Sequence, residues 1–169
     1  MIRILSVLAI TLILFNSSNA QLPKQWLGNW NGTMYIFNYG KPVDSVLVSF
    51  IVKPAIQDSS YTWRMEYHSA KTPMVKDYVL RTRDAAHGLF MTDEGDGIEL
   101  TSYLVGNKIY SLFEVQNTML SACYELRGNE LIFEVTSGKK EPATGGGVST
   151  FSVKNVQRVV FKKNSLTGQ

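Results

Sequence analysis

The pattern that most limits what this chain can fold into is a two-residue alternation of apolar and polar side chains, interrupted at regular intervals by turn residues. Along 61–68, Tyr61, Trp63, Met65 and Tyr67 fall on one face and Thr62, Arg64, Glu66 and His68 on the other. Leu131, Phe133 and Val135 alternate in the same way with Glu130, Ile132, Glu134 and Thr136. Period two describes an extended strand with one dry and one wet face. The β-branched and aromatic residues that fill these runs favour strands as well. Gly106-Asn107 and Gly128-Asn129 each separate two such runs, a two-residue hairpin signal, and Asp93-Glu94-Gly95-Asp96-Gly97 makes a wider turn. Strands are therefore predicted at 30–39, 45–53, 61–68, 74–83, 88–92, 98–105, 108–116, 118–127, 130–136 and 150–163. No stretch of a dozen residues carries a helical stripe, and only 22–27 reads as a single helical turn.

Successive strands with turns this close form a meander. An open meander leaves two unpaired edges, and closure removes them. The expected fold is all-β: a single antiparallel up-and-down β-barrel of about ten strands. A two-sheet sandwich is the competitor. It usually needs crossing connections, for which the short Gly-Asn turns leave no room.

The first twenty residues stand apart. Arg3 precedes a run of 12 uncharged residues, Ile4 to Phe15, and small residues sit at the −3 and −1 positions of a cut after Ala20. This is the layout of a signal peptide, and the run is short of the ~20 residues needed to span a bilayer. The expected organisation is a signal peptide over 1–20 and one domain over 21–169. The mature chain would begin at Gln21, have no membrane anchor, and be secreted or periplasmic. Composition excludes other classes. With 17 Lys and Arg against 14 Asp and Glu, there is no basic excess of the kind that marks a nucleic-acid partner. One cysteine, Cys123, allows neither an internal disulfide nor a Cys-rich zinc site. With no His or Lys beside it in sequence, Cys123 reads as a small half-buried residue of its strand.

The segment Leu27-Gly28-Asn29-Trp30-Asn31-Gly32-Thr33 opens the first strand just after the helical turn. It resembles the Gly-x-Trp motif of the calycins, the barrel superfamily of lipocalins, fatty-acid-binding proteins and nitrobindin-like proteins. The resemblance implies that Trp30 closes one end of the barrel, with a basic residue of the last strand packed across it. Arg158 is the matching candidate and Lys162 the alternative. Lys76-Asp77-Tyr78 resembles the Thr-Asp-Tyr element of lipocalins, but lies too early in the chain and lacks the Thr. Ten strands place the chain nearer the fatty-acid-binding and nitrobindin-like branches. Nitrobindin-like proteins hold haem through a His near the C-terminus; residues 140–169 contain none, so haem is not implied and no cofactor is expected.

No pattern of catalytic residues stands out. His68 falls on a polar strand face and His87 in a turn, and no single element brings them together as metal ligands. Asp93, Glu94 and Asp96 read as a solvated hairpin tip rather than a calcium loop. Glu114, Glu125 and Glu134 fall opposite apolar faces and read as outward. Residues 138–147 form a Gly-rich loop without the features of a phosphate loop, and Asn31-Gly32-Thr33 is a glycosylation sequon set on a strand. What remains is aromatic content, 18 Phe, Tyr and Trp after residue 20. Phe50, Tyr61, Trp63, Met65 and Tyr67 share an inward face and are the candidate ligand contacts. The function expected is non-catalytic binding of a small apolar or amphipathic molecule in a barrel cavity. The alternative is a secreted interaction module with a packed core, acting through its surface loops.

Overall fold

The structure, a computed structural model, describes residues 21–56, 59–143 and 145–164. The signal peptide expected over 1–20 lies outside the described residues. A short 3-10 turn, Lys24–Trp26, leads into ten strands: β1 (Gly28–Asn38), β2 (Lys41–Pro54), β3 (Ser60–Tyr67), β4 (Met74–Asp84), β5 (Leu89–Gly95), β6 (Ile98–Val105), β7 (Lys108–Val115), β8 (Thr118–Arg127), β9 (Glu130–Lys140) and β10 (Phe151–Lys163). Each pairs antiparallel with its neighbour in sequence, and β1 pairs with β10 to close the barrel. The expected all-β meander is therefore the fold, with three main boundary differences. β5 runs on to Gly95, so Asp93 and Glu94, expected at a solvated hairpin tip, are strand residues, the first paired with Arg81 and the second facing the interior. β2 begins at Lys41, because Lys41-Pro42-Val43-Asp44 extends the ladder against β1 although it lacks an apolar alternation. β9 runs on to Lys140, so the first residues of the expected 138–147 loop are strand.

Opposed residues share a face, so the pairing fixes which side chains enter the barrel. One inner row runs Trp30, Phe50, Met65 and Lys76 through the registers of β1 to β4. Another runs Phe133, Tyr124 and Ile109 through β9, β8 and β7. The buried core lies along this inner face and includes Met34, Val48, Phe50, Val52, Trp63, Leu80, Phe90, Leu131, Val159 and Phe161. The outer face between β3 and β6 carries ion pairs instead, Arg64 with Glu66 and Asp77, Arg81 with Asp93, and Arg83 with Glu99.

One end of the barrel is sealed. Trp26, 1% exposed, folds down from the 3-10 turn over the core, and the Trp30 indole N–H donates to its carbonyl at 2.9 Å. The basic residue across Trp30 is Lys163, which corrects the expectation for Arg158 and Lys162. Lys163 Nζ lies 5.0 Å from the Trp30 ring centroid and donates to the Gln25 carbonyl at 3.2 Å. The reason is parity. Val159 and Phe161 are buried inward, so Lys163 follows them inward opposite Trp30, whereas Arg158 and Lys162 must face out. Arg158 instead lies opposite Glu134 on the outer surface, 3.6 Å from its carboxylate. Gly28 makes the clasp sterically feasible. Its φ of +148° suits glycine, and a Cβ there would come within 2.5 Å of the Lys163 stem.

Candidate functional site

Away from the sealed end, the inner face grows progressively less buried. Phe161, Leu131 and Leu80 are fully buried, while Lys76, Glu94, Phe113 and Leu120 are half-buried. Met74, Ile98 and Val115, at the far ends of their strands, are exposed. Between these levels lies a cavity of about 180 Å³.

Its floor is aromatic. Phe50 meets Trp63 edge-on at 4.8 Å, Trp63 meets Tyr124 at 4.9 Å, and Tyr124 stacks on Phe133 at 4.4 Å. Ring pairs at these separations add to the stabilisation that burial alone gives, so the floor is a rigid surface. Trp63 also touches Trp26 of the plug at 6.1 Å, which ties the floor to the sealed end.

The opposite wall is polar. It comes from the inward residues of β4 to β7: Lys76, Tyr78, Thr92, Glu94, Ser102 and Ser111. The Thr92 and Ser102 hydroxyls, both buried, satisfy one another at 3.1 Å, and the Ser111 hydroxyl donates to the Thr101 carbonyl at 2.9 Å. Burial, then the neighbouring charge and hydrogen bond of Glu94, raises the Tyr78 hydroxyl to a pKa of about 12. Burial raises Tyr67 to about 12 as well, and Tyr124 is pushed up by the same cause. All three phenols are therefore neutral at physiological pH, able to hydrogen-bond but not to act as bases.

Of the five contacts expected from sequence, Trp63, Met65 and Tyr67 line the cavity. Phe50 lies directly beneath, packed against Trp63 and Tyr124. Tyr61 has the expected inward parity but stands at the sealed end, where its hydroxyl accepts a hydrogen bond from the Leu22 amide at 3.2 Å. It is part of the plug, not of the cavity. Sequence reasoning missed Lys76, Tyr78, Glu94 and Tyr124. The faces of β4 are mixed, and only its register against β3, with Trp63 opposite Tyr78 and Met65 opposite Lys76, shows which face is inside.

The other candidates occupy the outer surface. His68 pairs with the Ser49 hydroxyl at 2.7 Å and His87 with Asp84 at 2.8 Å. Glu125 is held by Arg127 and Lys108. Asn31 donates to the Asn164 side chain at 2.7 Å. Cys123 is a free thiol, half-buried, with its pKa raised chiefly by burial. Among the described residues, no group of three His, Cys, Asp or Glu side chains is placed to hold a metal ion.

No protein-family model matches the sequence, and comparison with curated proteins gives no match. Solved structures do match. The Rv2717c protein of M. tuberculosis aligns with a TM-score of 0.57 at 14% identity, over 88% of this chain and 99% of its own. The S-type phycobiliprotein lyase of Guillardia theta aligns at 0.56 and 8% identity, over 84% and 90%. A secretory abundant heat soluble protein of Ramazzottius varieornatus aligns at 0.47 and 15% identity, over 86% and 99%. At these identities the likeness concerns the fold. The closed ten-strand barrel, plugged by a turn ahead of a Gly-x-Trp strand, is calycin-like.

Proposed function

We propose that this calycin-like barrel binds one small apolar or amphipathic molecule in its cavity, without catalysis, and works outside the cytoplasm after residues 1–20 are removed. The observation that carries the reading is a hollow where the fold could have had a core. Two tryptophans seal one end, yet about 180 Å³ above the aromatic floor is left unfilled. The hollow opens to water at the mouth, and a ligand that fills it takes the apolar floor out of water, worth about 25 cal/mol per Å² covered. Neutral phenols and hydroxyls on one wall and stacked rings on the floor suit a molecule with one polar edge.

The test is binding of an environment-sensitive apolar dye to the folded protein, with native mass spectrometry and organic extraction to identify what co-purifies. Saturable binding is expected, and Ala122→Leu, which places three carbons into the cavity from β8, should abolish it without unfolding the barrel. Dye uptake only in denaturant, or binding unaffected by the filled cavity, would favour the surface interaction module instead. Export is tested separately by N-terminal sequencing of protein expressed with its own leader. The expected first residue is Gln21; an intact Met1 in the membrane fraction overturns it.

A further inference from the structure

The geometry points to the class of molecule held and to its orientation: a compact aromatic anion, ring against the floor and charge at the mouth, with Lys76 as its counter-ion. The inference rests on the cavity-binding reading above and adds charge, size and direction to it.

Size comes first. A cavity of about 180 Å³ is close to the ~150 Å³ engineered void that takes up benzene. One ring or two fused rings match that space. A long flexible chain would leave most of its apolar length outside. The floor also selects for flat groups, because Trp63, Tyr124 and Phe133 present ring faces and edges at stacking distance.

Charge comes from an imbalance of partners. Lys76 sits on the inner face opposite Met65, half-buried, and lines the cavity. Among the described residues it has neither an ion pair nor a side-chain hydrogen bond, whereas every arginine from 64 to 83 on the outer face is paired. Glu94, the one carboxylate among the described residues lining the cavity, interacts with the Tyr78 hydroxyl. Across the mouth, Lys139 shares the inner parity of Ser137 and Val135 and is likewise unpaired among the described residues. A half-buried ammonium on the inner wall with no protein partner has its donors free for water or for an anion in the cavity, and the anion makes the stronger, charge-assisted contact. The deeper levels hold only aromatic, aliphatic and neutral polar groups, so the anion must face outward. The ring then enters first.

The test uses three naphthalenes of one shape: naphthalene-2-carboxylate, 2-naphthamide and 2-(aminomethyl)naphthalene, each titrated against intrinsic tryptophan fluorescence. The carboxylate should bind at least about tenfold more tightly than the amide, as a charge-assisted contact replaces a neutral one, and the cation most weakly. In Lys76→Met the carboxylate should lose its advantage, binding no more tightly than the amide. Lys71→Met, in the exposed loop nearby, should preserve the preference. An amide or cation that binds as tightly as the carboxylate overturns the inference while leaving the cavity reading intact. So does a preference that survives Lys76→Met. If none of the three binds saturably, the cavity reading fails and takes this inference with it. The wild-type comparison decides the question even if Lys76→Met does not fold.

Discussion

The two ends of this barrel are built from the same inward alternation and reach opposite results. At the sealed end, Trp26, Trp30, Phe161 and Leu131 fill the interior, and Lys163 clasps the plug from above. At the mouth the same rows continue as Lys76, Glu94, Phe113 and Leu120, half in water around a hollow. Period two therefore decides which side chains enter a barrel, but not whether they fill it. Filling depends on what caps the end, and among the described residues only one end has a cap.

The difference predicts unequal sensitivity to mutation, and the largest effect is at the plug. Trp30→Ala should cost about 3–5 kcal/mol in urea-denaturation midpoints, since it empties a fully buried site and removes the bond to the Trp26 carbonyl. Phe113→Ala at the mouth should cost less, about 1–2 kcal/mol, because that ring is only partly buried and borders the hollow. Equal costs would erase the contrast between filled and open ends.

Alkaline pH should weaken the mouth next. Tyr67 and Tyr78 titrate near 12 in the folded chain and near 10 when unfolded. Above pH 10 the unfolded chain loses protons that the folded chain keeps, so stability falls as pH rises from about 10 to about 12. Tyr67→Phe should remove on the order of 2 kcal/mol of that fall. A stability profile as steep in the variant as in the wild type would show that Tyr67 is not buried as described.

The clasp gives a smaller, directional effect. Lys163→Met should cost about 1 kcal/mol, through the lost contact with Trp30 and the lost bond to Gln25. Arg158→Met should cost less than about 0.5 kcal/mol, the usual worth of an exposed pair. A double-mutant cycle should show coupling of Trp30 to Lys163 and none to Arg158. The smallest effect expected is at Glu94. Glu94→Gln should lower the Tyr78 pKa toward its ordinary value without reaching it, because burial remains the larger cause. Phenolate absorbance of the folded protein checks it.

Much of the fold was legible because it is local. Gly106-Asn107 and Gly128-Asn129 stand at hairpins, and the alternation of 61–67 became the inner face of β3. What could not be read depended on contacts far apart in sequence. Apolar residues lie on both faces of β10, with Val156 and Val160 outward and Val159 and Phe161 inward, so its parity was ambiguous and Arg158 took the place of Lys163. Tyr61 had the right face but the wrong height, because height is set by where the plug lands. The polar wall was hidden for a related reason. Lys76 and Tyr78 alternate with Val75 and Val79, a pattern that reads as an outward polar face until Trp63 is set opposite Tyr78.

The clasp also sets the order of assembly. Nine of the ten seams join strands adjacent in sequence; only the β1–β10 seam joins the two ends, with Lys163 reaching Gln25 across 138 residues. Loop-closure entropy makes that seam the slowest to gain, and during synthesis it cannot start until β10 has appeared or be completed before residue 163. Until then the chain can be at most a curled sheet with two bare edges and two tryptophans that have no lid. The last strand, β10, therefore completes the barrel kinetically as well as structurally. A chain cut before β10 should accumulate as an edge-exposed, aggregation-prone species rather than as a slightly less stable barrel.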